Sequence, residues 1–404
     1  MKKCLQNTDV LNKRVLLRVD YNVPIKDGKI LDDSKIKATL ETICYLLSEN
    51  CKIIILSHLG KIKTESDKSK YSLKIVAERL KELLDKEVYF SHENFGVPVV
   101  DRVNALNSGE ILMLENTRFL DVPGNLESGC DPQLSMFFAS LADVFVSEAF
   151  GTAHRRHASN YGVTKYMESC IGFLMQKEIG MLNRLVIHPI HPFTVIMGGA
   201  KIDDKLELLE KLLPKCEHLL LGGGLANTCL KALGFSVGSS LSSNNYKTIK
   251  IVQDMLLKYK DKIMLPLDAI VGISYDKDYI KYKMINEIDP NEIILDIGVK
   301  TLEKYKTVIN NSETIFLNGT VGMYENMRFA NGTKELLNII TSSNAITVAG
   351  GGDAASSAYN FGCGYKFTYI SSGGGATLEY LATETLPALD NISEEDDNIE
   401  TLDL

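Results

Sequence analysis

The stretch FTVIMGGAKIDDKLELLEKLL, residues 193–213, joins a short apolar run to a glycine pair and a helical pattern. The run FTVIM has the length of a buried strand, and Gly198 and Gly199 end it. Apolar residues then recur at the spacing of one helix face, at Ile202, Leu206, Leu209 and Leu213. The stretch therefore predicts a strand, a tight turn and a helix, which is the unit from which α/β folds are built.

Two lysines lie in the first turn of this predicted helix. Lys201 and Lys205 are four residues apart and share one face, at the end where the helix dipole is already positive. Each charge costs roughly 0.3 to 1 kcal/mol at that end. A bound anion would turn the cost into a gain, because backbone N–H groups and ammonium groups would converge on it. The pattern allows two interpretations, an anion site or a solvated face compensated by Asp203 and Asp204.

Similar apolar runs alternate with helical patterns along nearly the whole chain. In the first half they are RVLLRV (14–19), KIIILS (52–57), EILMLE (110–115) and DVFVSEAF (143–150). In the second half they are FTVIM, HLLLGG (218–223), KIMLP (262–266), ETIFLN (313–318) and AITVAG (345–350). Continuous apolar strands separated by helices predict the α/β class, with parallel sheets covered on both faces. Ligands of such sheets bind beyond the carboxyl ends of the strands.

Different residues follow the strands of the two halves. The first-half strands carry cationic side chains at or near their ends: Arg18, His58, Lys61, Arg118, His154, Arg155, Arg156 and His157. The second-half strands are followed by glycines, at 198–199, 222–224, 319, 350–352 and 373–375. Arginine and histidine suit a small, highly charged anion, whereas glycine turns let the backbone approach nucleotide phosphates. This distribution predicts an anionic substrate on the first half and a nucleotide on the second, as in a two-domain kinase.

The pattern changes at residues 172–187, GFLMQKEIGMLNRLVI, which predict a helix. The segment HPIHPF after it, with Pro189 and Pro192, is typical of a stiff extended connector. His188 and His191 are interpreted as part of this linker, since the prolines prevent helical metal-ligand geometry. We therefore predict two Rossmann-like domains joined by a hinge helix: a substrate domain over 1–171, the hinge and linker over 172–192, and a nucleotide-binding domain over 193–385.

Length and composition fit this division. The chain has 404 residues, too many for one ordinary core, and 45% hydrophobic with 24% charged residues is typical of a globular protein. No apolar run approaches 18 residues and the first residues lack the apolar core of a signal peptide, so we expect a cytoplasmic protein with no membrane partner. The eight cysteines include no CxxC pair, which favours reduced thiols.

The net charge of −8 is concentrated at the C-terminus. Residues 391–404, NISEEDDNIETLDL, hold six acidic residues and no basic ones, so they are interpreted as a solvated tail. The sequence has no strongly basic stripe, which argues against a nucleic-acid partner.

The segment GGGDAASSA (350–358) places Asp353 at the start of a predicted helix, directly after a strand. Asp353 is interpreted either as a helix cap or as a Mg²⁺ contact beside nucleotide phosphates. The same letters satisfy GxGxxA, so a dehydrogenase is the runner-up. However, a dinucleotide-binding site also needs an acidic residue at the end of the next strand, about 20 positions further on. This sequence has SSGGGA at that place.

Three further groups are candidates for ligand contacts. NGTVGMYE (318–325) is a glycine-rich turn ending in Glu325, which is interpreted as a ribose or base contact or as a plain turn. Asp20 and Asn22 follow a strand directly and form either an Asx turn or hydrogen bonds to substrate hydroxyls and carboxylate. Arg118, His154 and Arg155 are anion-binding candidates or surface cations.

The sequence contains neither the GxxxxGK[ST] motif of P-loop proteins nor the HRD and DFG motifs of protein kinases. Phosphoryl transfer nevertheless needs only positioning and positive charge.

The chain resembles the phosphoglycerate kinase family over essentially its whole length. The resemblance rests on motifs in a fixed order: RVDYNVP, SHLGK, KYSL, ENTRF, EAFGTAHRRHAS, LMQKE, GGAKIDDK, GGGLANT, NGTVGMYE, GGGD and SSGGGA with LPALD after it. It implies phosphoryl transfer between ATP and 3-phosphoglycerate in glycolysis, with 1,3-bisphosphoglycerate and ADP on the other side. It also implies a monomer that closes on its hinge, with residues 386–404 returning toward the first domain.

The resemblance also implies site residues, wherever this sequence carries the family's motifs. For 3-phosphoglycerate they are Asp20, Asn22, Lys35, His58, Lys61, Arg118, His154 and Arg155. For the nucleotide they are Gly199, Lys201, Lys205, Gly223, Gly298, Asn318, Thr320, Glu325, Gly352, Asp353 and Ala354, with Asp353 toward Mg²⁺. The implied catalytic residues are Lys35, Lys201 and Lys205.

Several of these positions depart from the family's pattern. Lys35 and Lys61 stand where the family has arginine, Ala354 where it has threonine, Thr320 where it has proline and Glu148 where it has aspartate. Lysine keeps the charge of arginine but lacks the planar fork that bridges two oxygens. Loss of one or two transition-state hydrogen bonds could cost about 3 to 4 kcal/mol, or 100- to 1000-fold in rate. We therefore expect a kinase, with reduced rate as one outcome, and the alternative is a catalytically impaired nucleotide-binding homologue that acts through protein partners.

Overall fold

The computed structural model describes residues 2–200, 202–275 and 279–395. They form two compact units, which divide at Gly180/Met181 and again at Glu384/Thr385. The first unit thus contains the beginning of the chain and residues 385–395, and the second is the continuous stretch between. The first division falls inside the helix predicted at 172–187, which is present as Phe173–Val186.

The first unit is built on a six-stranded sheet and a short hairpin. Its strands are β1 (Arg14–Val19), β2 (Ile25–Lys26), β3 (Lys29–Ile30), β4 (Lys52–Leu56), β5 (Val88–Ser91), β6 (Ile111–Leu114), β7 (Val144–Glu148) and β8 (Ser169–Ile171). The sheet has the order β5-β6-β4-β1-β7-β8, with each neighbouring pair parallel, and β2 and β3 form the antiparallel hairpin. The predicted parallel sheet is confirmed, and β1 lies in it between β4 and β7.

Helices cover both faces of this sheet. They are α1 (Ser34–Lys37), α2 (Leu40–Ser48), α3 (Glu65–Lys68), α4 (Lys74–Leu84), α5 (Val97–Ala105), α6 (Pro132–Ser140) and the start of α7 (Phe173–Val186). Successive residues of β1 enter different cores, since Leu17 packs with Ile53 and Ile55 whereas Leu16 packs with Ile54. Burial on both faces explains why these strands are continuous apolar runs.

The second unit contains a six-stranded parallel sheet of the same kind and three further strands. The strands of the whole unit are β9 (Phe193–Met197), β10 (His218–Leu221), β11 (Ile263–Met264), β12 (Asp268–Gly272), β13 (Ile280–Met284), β14 (Ile293–Ile297), β15 (Thr314–Asn318), β16 (Ile346–Gly350) and β17 (Tyr369–Ile370). The parallel sheet has the order β11-β10-β9-β15-β16-β17. Its helices are α8 (Leu206–Leu212), α9 (Gly223–Ala232), α10 (Tyr246–Lys258), α11 (Val299–Ile309), α12 (Asn331–Thr341), α13 (Gly352–Asn360) and α14 (Gly375–Thr383).

A second, antiparallel sheet in this unit was not predicted. Strands β13, β12 and β14 form it in that order, with antiparallel neighbours. In β13, IKYKM, the first three residues are exposed and two of the five are lysines, so the strand lacks the apolar run used to find the others. The α/β class stands, with this antiparallel addition.

The start of α7 is capped by a carboxylate from a distant strand. Glu148, the last residue of β7, accepts hydrogen bonds from the backbone N–H groups of Leu174 (3.0 Å) and Met175 (3.1 Å), and from the hydroxyl of Thr42. Negative charge at this end complements the helix dipole. Burial nevertheless raises the pKa of Glu148 to about 7.

Residues 385–395 pack within the first unit. The backbone N–H of Ala388 donates to the carbonyl of Ala153 at 3.0 Å, and the N–H of Lys3 donates to the carbonyl of Ser393 at 2.8 Å. The last described part of the chain is thus tied both to the loop after β7 and to the first residues of the protein. Among the described residues, no helix is long and apolar enough to cross a membrane.

Candidate active site

The first half of the candidate site lies beyond the carboxyl ends of β1, β4 and β6. Asp20 directly follows β1, His58 lies two residues past β4, and Arg118 lies in the turn after β6. The sheet order brings β1 beside β4 and β4 beside β6, so side chains distant in sequence reach the same edge.

Asp20 is the centre of this group. Its carboxylate accepts hydrogen bonds from Lys35 Nζ at 2.8 Å and from the backbone N–H of Asn22 at 3.2 Å. Burial opposes the charged form, but His58 and Lys35 nearby, with the hydrogen bond from Lys35, lower the pKa of Asp20 to about 2. The Asx turn is therefore present, since one oxygen of Asp20 bonds the N–H of Asn22 while the other holds Lys35.

The loop after β4 connects the remaining side chains of this half. Asn22 Oδ1 accepts from the backbone N–H of Gly60 at 2.9 Å, and Arg118 Nη1 donates to the carbonyl of Gly60 at 2.6 Å. Lys61, the next residue, is exposed. Gly60 thus fixes Asn22 and Arg118 relative to one another through its two backbone groups.

His58 is buried beside Asp20. Its Nδ1 lies 3.9 Å from Asp20 Oδ1. Burial, with the positive charges of Arg18 and Arg118 adding to it, lowers the pKa of His58 well below its usual range. Burial thus favours the neutral imidazole, whereas the carboxylate of Asp20 beside it acts in the opposite direction.

The loop GTAHRRHAS adds further cationic groups. Arg155 Nε donates to His154 Nε2 at 3.2 Å. Burial, followed by the charge of Arg155, lowers the pKa of His154, and burial together with Arg18, Arg118 and Arg155 lowers that of His157 to about 3. These shifts show that positive charges already crowd this region, so an anion bound there would be stabilised by all of them.

Arg18 and Glu127 belong to the same cluster, although the implied site residues included neither. Arg18 is fully buried in β1, and Glu127 is fully buried in the loop before α6. Ser159 Oγ accepts from Arg18 Nε at 2.7 Å and donates to Glu127, whose other oxygen accepts from the N–H of Ser159 at 3.0 Å. Burial raises the pKa of Glu127, against the opposing effects of Arg18 and Ser159. The position of Arg18 inside the apolar run RVLLRV was a sequence signal, but nothing local marked Glu127.

The second half of the candidate site is formed by backbone turns after β9, β10 and β15. Gly223 has φ +58°, and a Cβ there would lie 3.0 Å from the carbonyl oxygen of Gly199. A Cβ on Gly198 would lie 1.9 Å from the carbonyl oxygen of Thr320. Three turns therefore pack backbone to backbone, and glycine is required for that approach.

Lys205 lies against these turns. Its Nζ donates to the carbonyl of Gly198 at 2.7 Å, and a Cβ on Gly319 would lie 3.1 Å from it. The predicted helix starts later than expected, because Asp203–Lys205 form a 3-10 turn and α8 begins at Leu206. Lys205 thus precedes the α-helix. The other lysine of the pair, Lys201, lies outside the described residues.

The turn after β16 carries the predicted metal contact. Helix α13 begins at Gly352, and Asp353 is exposed in its first turn, while Gly351 and not Asp353 occupies the N-cap. A Cβ on Gly352 would meet no atom within 4 Å, so the helix start faces open space. Ala354 is fully buried and packs in the core of the unit.

Asn318 stands at the end of β15, next to that turn. Its Nδ2 donates to the carbonyl of Gly350 at 2.7 Å. Its Oδ1 is buried and has no hydrogen-bond partner within the described part of the chain. A buried amide oxygen without a partner is costly, which favours a donor supplied by a ligand.

The remaining predicted nucleotide residues occupy different surroundings. Thr320 is largely buried in the turn after β15, and Glu325 is exposed. Gly298 is the N-cap of α11 and follows β14 of the antiparallel sheet, not a strand of the parallel sheet. A Cβ on it would collide with the carboxylate of Asp268, so close packing explains this glycine without a ligand.

The donor set fits a Mg²⁺ ion that arrives with a nucleotide. No group of three or more His, Cys, Asp or Glu side chains able to hold a metal occurs among the described residues. Mg²⁺ often takes one or two protein carboxylates and completes its shell with phosphate oxygens and water. The exposed Asp353 at a helix start could supply such a carboxylate.

Comparison with known proteins gives one consistent result. The family model for phosphoglycerate kinase matches residues 5–384. The phosphoglycerate kinase of Lacticaseibacillus casei is 44% identical over 395 residues, which cover 97% of this chain and 99% of that protein. The phosphoglycerate kinase of Macrococcus caseolyticus is 44% identical over 396 residues, which cover 98% of this chain and 100% of that protein. Among solved structures, phosphoglycerate kinase from Coxiella burnetii superposes with a TM-score of 0.87 at 34% identity, covering 97% of this chain and 99% of that one. The enzyme from Pyrococcus horikoshii gives 0.81 at 33%, covering 97% and 98%.

Proposed function

The chain belongs to the phosphoglycerate kinase family, and we propose that its two half-sites transfer a phosphoryl group between ATP and 3-phosphoglycerate. The observation that carries the proposal is the cluster around Asp20, where Lys35, Asn22, His58 and Arg118 meet at one sheet edge. The two cations of this group, Lys35 and Arg118, together with the hydrogen-bonding groups of Asn22 and His58, suit a small molecule with a phosphate and a carboxylate.

The first unit would bind 3-phosphoglycerate. Arg118, His154 and Arg155 would contact its phosphate, because Arg118 is held by the carbonyl of Gly60 at this edge and Arg155 bonds to the neighbouring His154. Asp20 would accept from its hydroxyl, and the amide of Asn22 would donate to its carboxylate. Lys61 is exposed next to Gly60 and would add positive charge at the edge.

The second unit would bind the nucleotide. Gly199, Gly223 and Thr320 belong to turns that pack backbone to backbone without intervening side chains, which would leave a flat surface for the nucleotide. Asn318 and Glu325 would contact the nucleoside. Gly352 and Asp353 begin α13, where a phosphate would meet free N–H groups, and Asp353 would hold Mg²⁺.

The chemistry asks the protein chiefly for positioning and charge. A carboxylate oxygen of 3-phosphoglycerate forms a bond to the γ-phosphorus of ATP while the bond from that phosphorus to the ADP oxygen breaks. Negative charge spreads over three equatorial oxygens, which Lys201 and Lys205 would stabilise from one side and Lys35 from the other. Bound Mg²⁺ supplies additional positive charge next to the β- and γ-phosphates.

Lys35 could stabilise the transferring group, but its ammonium group differs in shape from the guanidinium of the family's arginine. Its Nζ is held 2.8 Å from Asp20, with the side chain one-third exposed. The ammonium group neutralises one oxygen at a time and cannot bridge two in a plane. We expect turnover, at a rate below that of a variant with arginine at this position.

We further propose a cytoplasmic monomer whose two domains close during the reaction. The acceptor and the donor bind to different units in this scheme, so transfer requires them to approach and water to be excluded. Helix α7, which contains the division at Gly180/Met181, would be the hinge. Small-angle scattering should show compaction when both substrates are added; an unchanged radius of gyration would contradict closure.

The proposed activity is tested by a coupled assay of the full chain with Mg²⁺, ATP and 3-phosphoglycerate. We expect turnover in the parent and a loss on the order of 100- to 1000-fold in Lys205→Ala, as for removal of one transition-state donor. Lys211→Ala, an exposed lysine in the last turn of α8, is the matched control and should keep the parent rate. No turnover in the parent, or equal rates for both variants, would overturn the proposal.

A further inference from the structure

Glu127 is a buried acid inside an otherwise exposed loop. In the segment PGNLESG, residues 123–126 and 128–129 are exposed, whereas Glu127 between them has no accessible surface. Loops usually bury their apolar residues and expose their charges, and a buried carboxylate is costly unless it is bonded. The loop therefore directs this one charge inward, toward the cationic cluster of the first unit.

The hydrogen bonds around Glu127 have a defined direction. Arg18 Nε can only donate, so Ser159 Oγ accepts from it at 2.7 Å and must give its own proton to Glu127. The second carboxylate oxygen accepts from the N–H of Ser159 at 3.0 Å. Both oxygens are thus acceptors, which a carboxylate satisfies and an amide cannot.

This chain of bonds determines how Arg18 is held. Arg18 Nη1 donates to the carbonyl of Val19, and Nε donates to Ser159, so two of its three nitrogens are fixed by the protein. Its Nη2 is buried and has no partner among the described residues. Asp20 follows Arg18 by two residues, and the charges of these two side chains interact.

Glu127 also holds the loop that carries His154, Arg155 and His157. Its carbonyl accepts from the N–H of Ala158 at 2.9 Å, and its Oε1 lies 3.8 Å from His157 Nδ1. Side chain and backbone of one residue therefore anchor residues 157–159 at several points.

We propose that Glu127 is a positioning residue of the phosphoglycerate site: through Ser159 it orients Arg18 and the 154–157 loop, without itself touching the substrate. The inference rests on the proposed function of this site. A purely structural role would not require a charge here, because replacing buried ionic groups by well-packed apolar ones is often neutral for stability.

Glu127→Gln and Ser159→Ala test the chain of hydrogen bonds. The glutamine offers one acceptor where two are needed, and the alanine leaves Arg18 Nε without a partner. In both variants we expect the KM for 3-phosphoglycerate to rise about tenfold, the KM for ATP to stay within about twofold, and kcat to change less than the first KM. Glu127→Asp keeps both acceptors on a shorter arm and should recover part of the loss.

Glu292→Gln is the matched control. Glu292 is a fully buried carboxylate in the second unit that accepts from Tyr279 and from the N–H of Asp289, each at 2.9 Å. We expect it to lower the melting temperature as much as Glu127→Gln does, with the KM for 3-phosphoglycerate unchanged. Solution NMR of the Arg18 Nε–H group adds a direct readout, since the signal should shift in Ser159→Ala.

The outcomes separate this inference from the proposed function. If the parent does not turn over, the proposed function fails. If the parent is active and both Glu127→Gln and Ser159→Ala keep its KM for 3-phosphoglycerate within twofold, or raise both KM values equally, Glu127 is not a positioning residue. Should Glu127→Gln fail to fold, Ser159→Ala and Glu127→Asp decide the question by the same criteria.

Discussion

The two halves of the candidate site are made of different parts of the chain. In the first unit, charged side chains from several loops converge, and they are held by the hydrogen bonds that they donate to Asp20, Gly60 and Ser159. In the second unit, turns such as those at Gly198 and Gly223 approach one another so closely that side chains are excluded. The first unit concentrates charge, and the second packs backbone against backbone.

The two units therefore carry different energetic costs. In the first unit, burial lowers the pKa of His157 to about 3, and repulsion from the nearby arginines adds to that effect. Packed turns require left-handed backbone and leave no room for a Cβ, as at Gly223. Mutations should therefore act through charge in the first unit and through shape in the second.

Arg118→Ala should have the largest effect of the changes that test this contrast. Removing a guanidinium that contacts a substrate anion costs about 1.5 to 3 kcal/mol, so we expect kcat/KM for 3-phosphoglycerate to fall by about 100-fold with little change for ATP. Arg156→Ala is the control, because Arg156 is exposed, lies 3.4 Å from Asp390 and is not in the cluster. Steady-state kinetics with each substrate varied would measure both; a matching loss for ATP would break the contrast.

Gly223→Ala should affect the other substrate by about tenfold. The alanine would need φ +58° and a Cβ 3.0 Å from the Gly199 oxygen, so the turns must separate. A displaced turn loses phosphate contacts, and one lost charge-assisted hydrogen bond corresponds to about tenfold in the KM for ATP. Gly234→Ala is the control, since Gly234 has φ +89° but open space around its Cβ position. Isothermal titration with ADP should separate them, and equal affinities would contradict a shape effect.

Lys35→Arg should give the smallest effect, an increase. A planar guanidinium could bridge two oxygens of the transferring group, so we expect kcat to rise by about three- to tenfold with both KM values within twofold. Lys37→Arg, on the same short helix but paired with Asp33 at 2.9 Å, is the control and should change nothing. A Lys35→Arg variant no faster than the parent would show that this position does not limit the rate.

The apolar runs predicted the fold well, and the reason is burial. Each predicted run contains a strand of a parallel sheet, since strands buried on both faces must be continuously apolar. The same criterion could not find β13, which is half exposed, or short strands such as β8 and β17. Helix α8 begins at Leu206 and not at Ile202, because a 3-10 turn intervenes that the spacing of apolar residues does not distinguish.

The site was only partly predictable. Asp20, His58 and Arg118 could be named because each follows an apolar strand closely, and parallel strands end at one edge. Glu127 could not, since its partner Arg18 lies more than a hundred residues away and only the folded chain brings Ser159 between them. Gly298 was assigned to the nucleotide by motif, whereas its packing against Asp268 accounts for it locally.

The return of residues 385–395 to the first unit has a consequence for how the protein is made. The second unit is continuous from Met181 to Glu384, so all of its residues are synthesised before residues 385–395 are added. The first unit cannot be completed then, because Ser393 and Ala388 still have to bond with Lys3 and Ala153. During translation the first unit is thus the first to be started and the last to be completed.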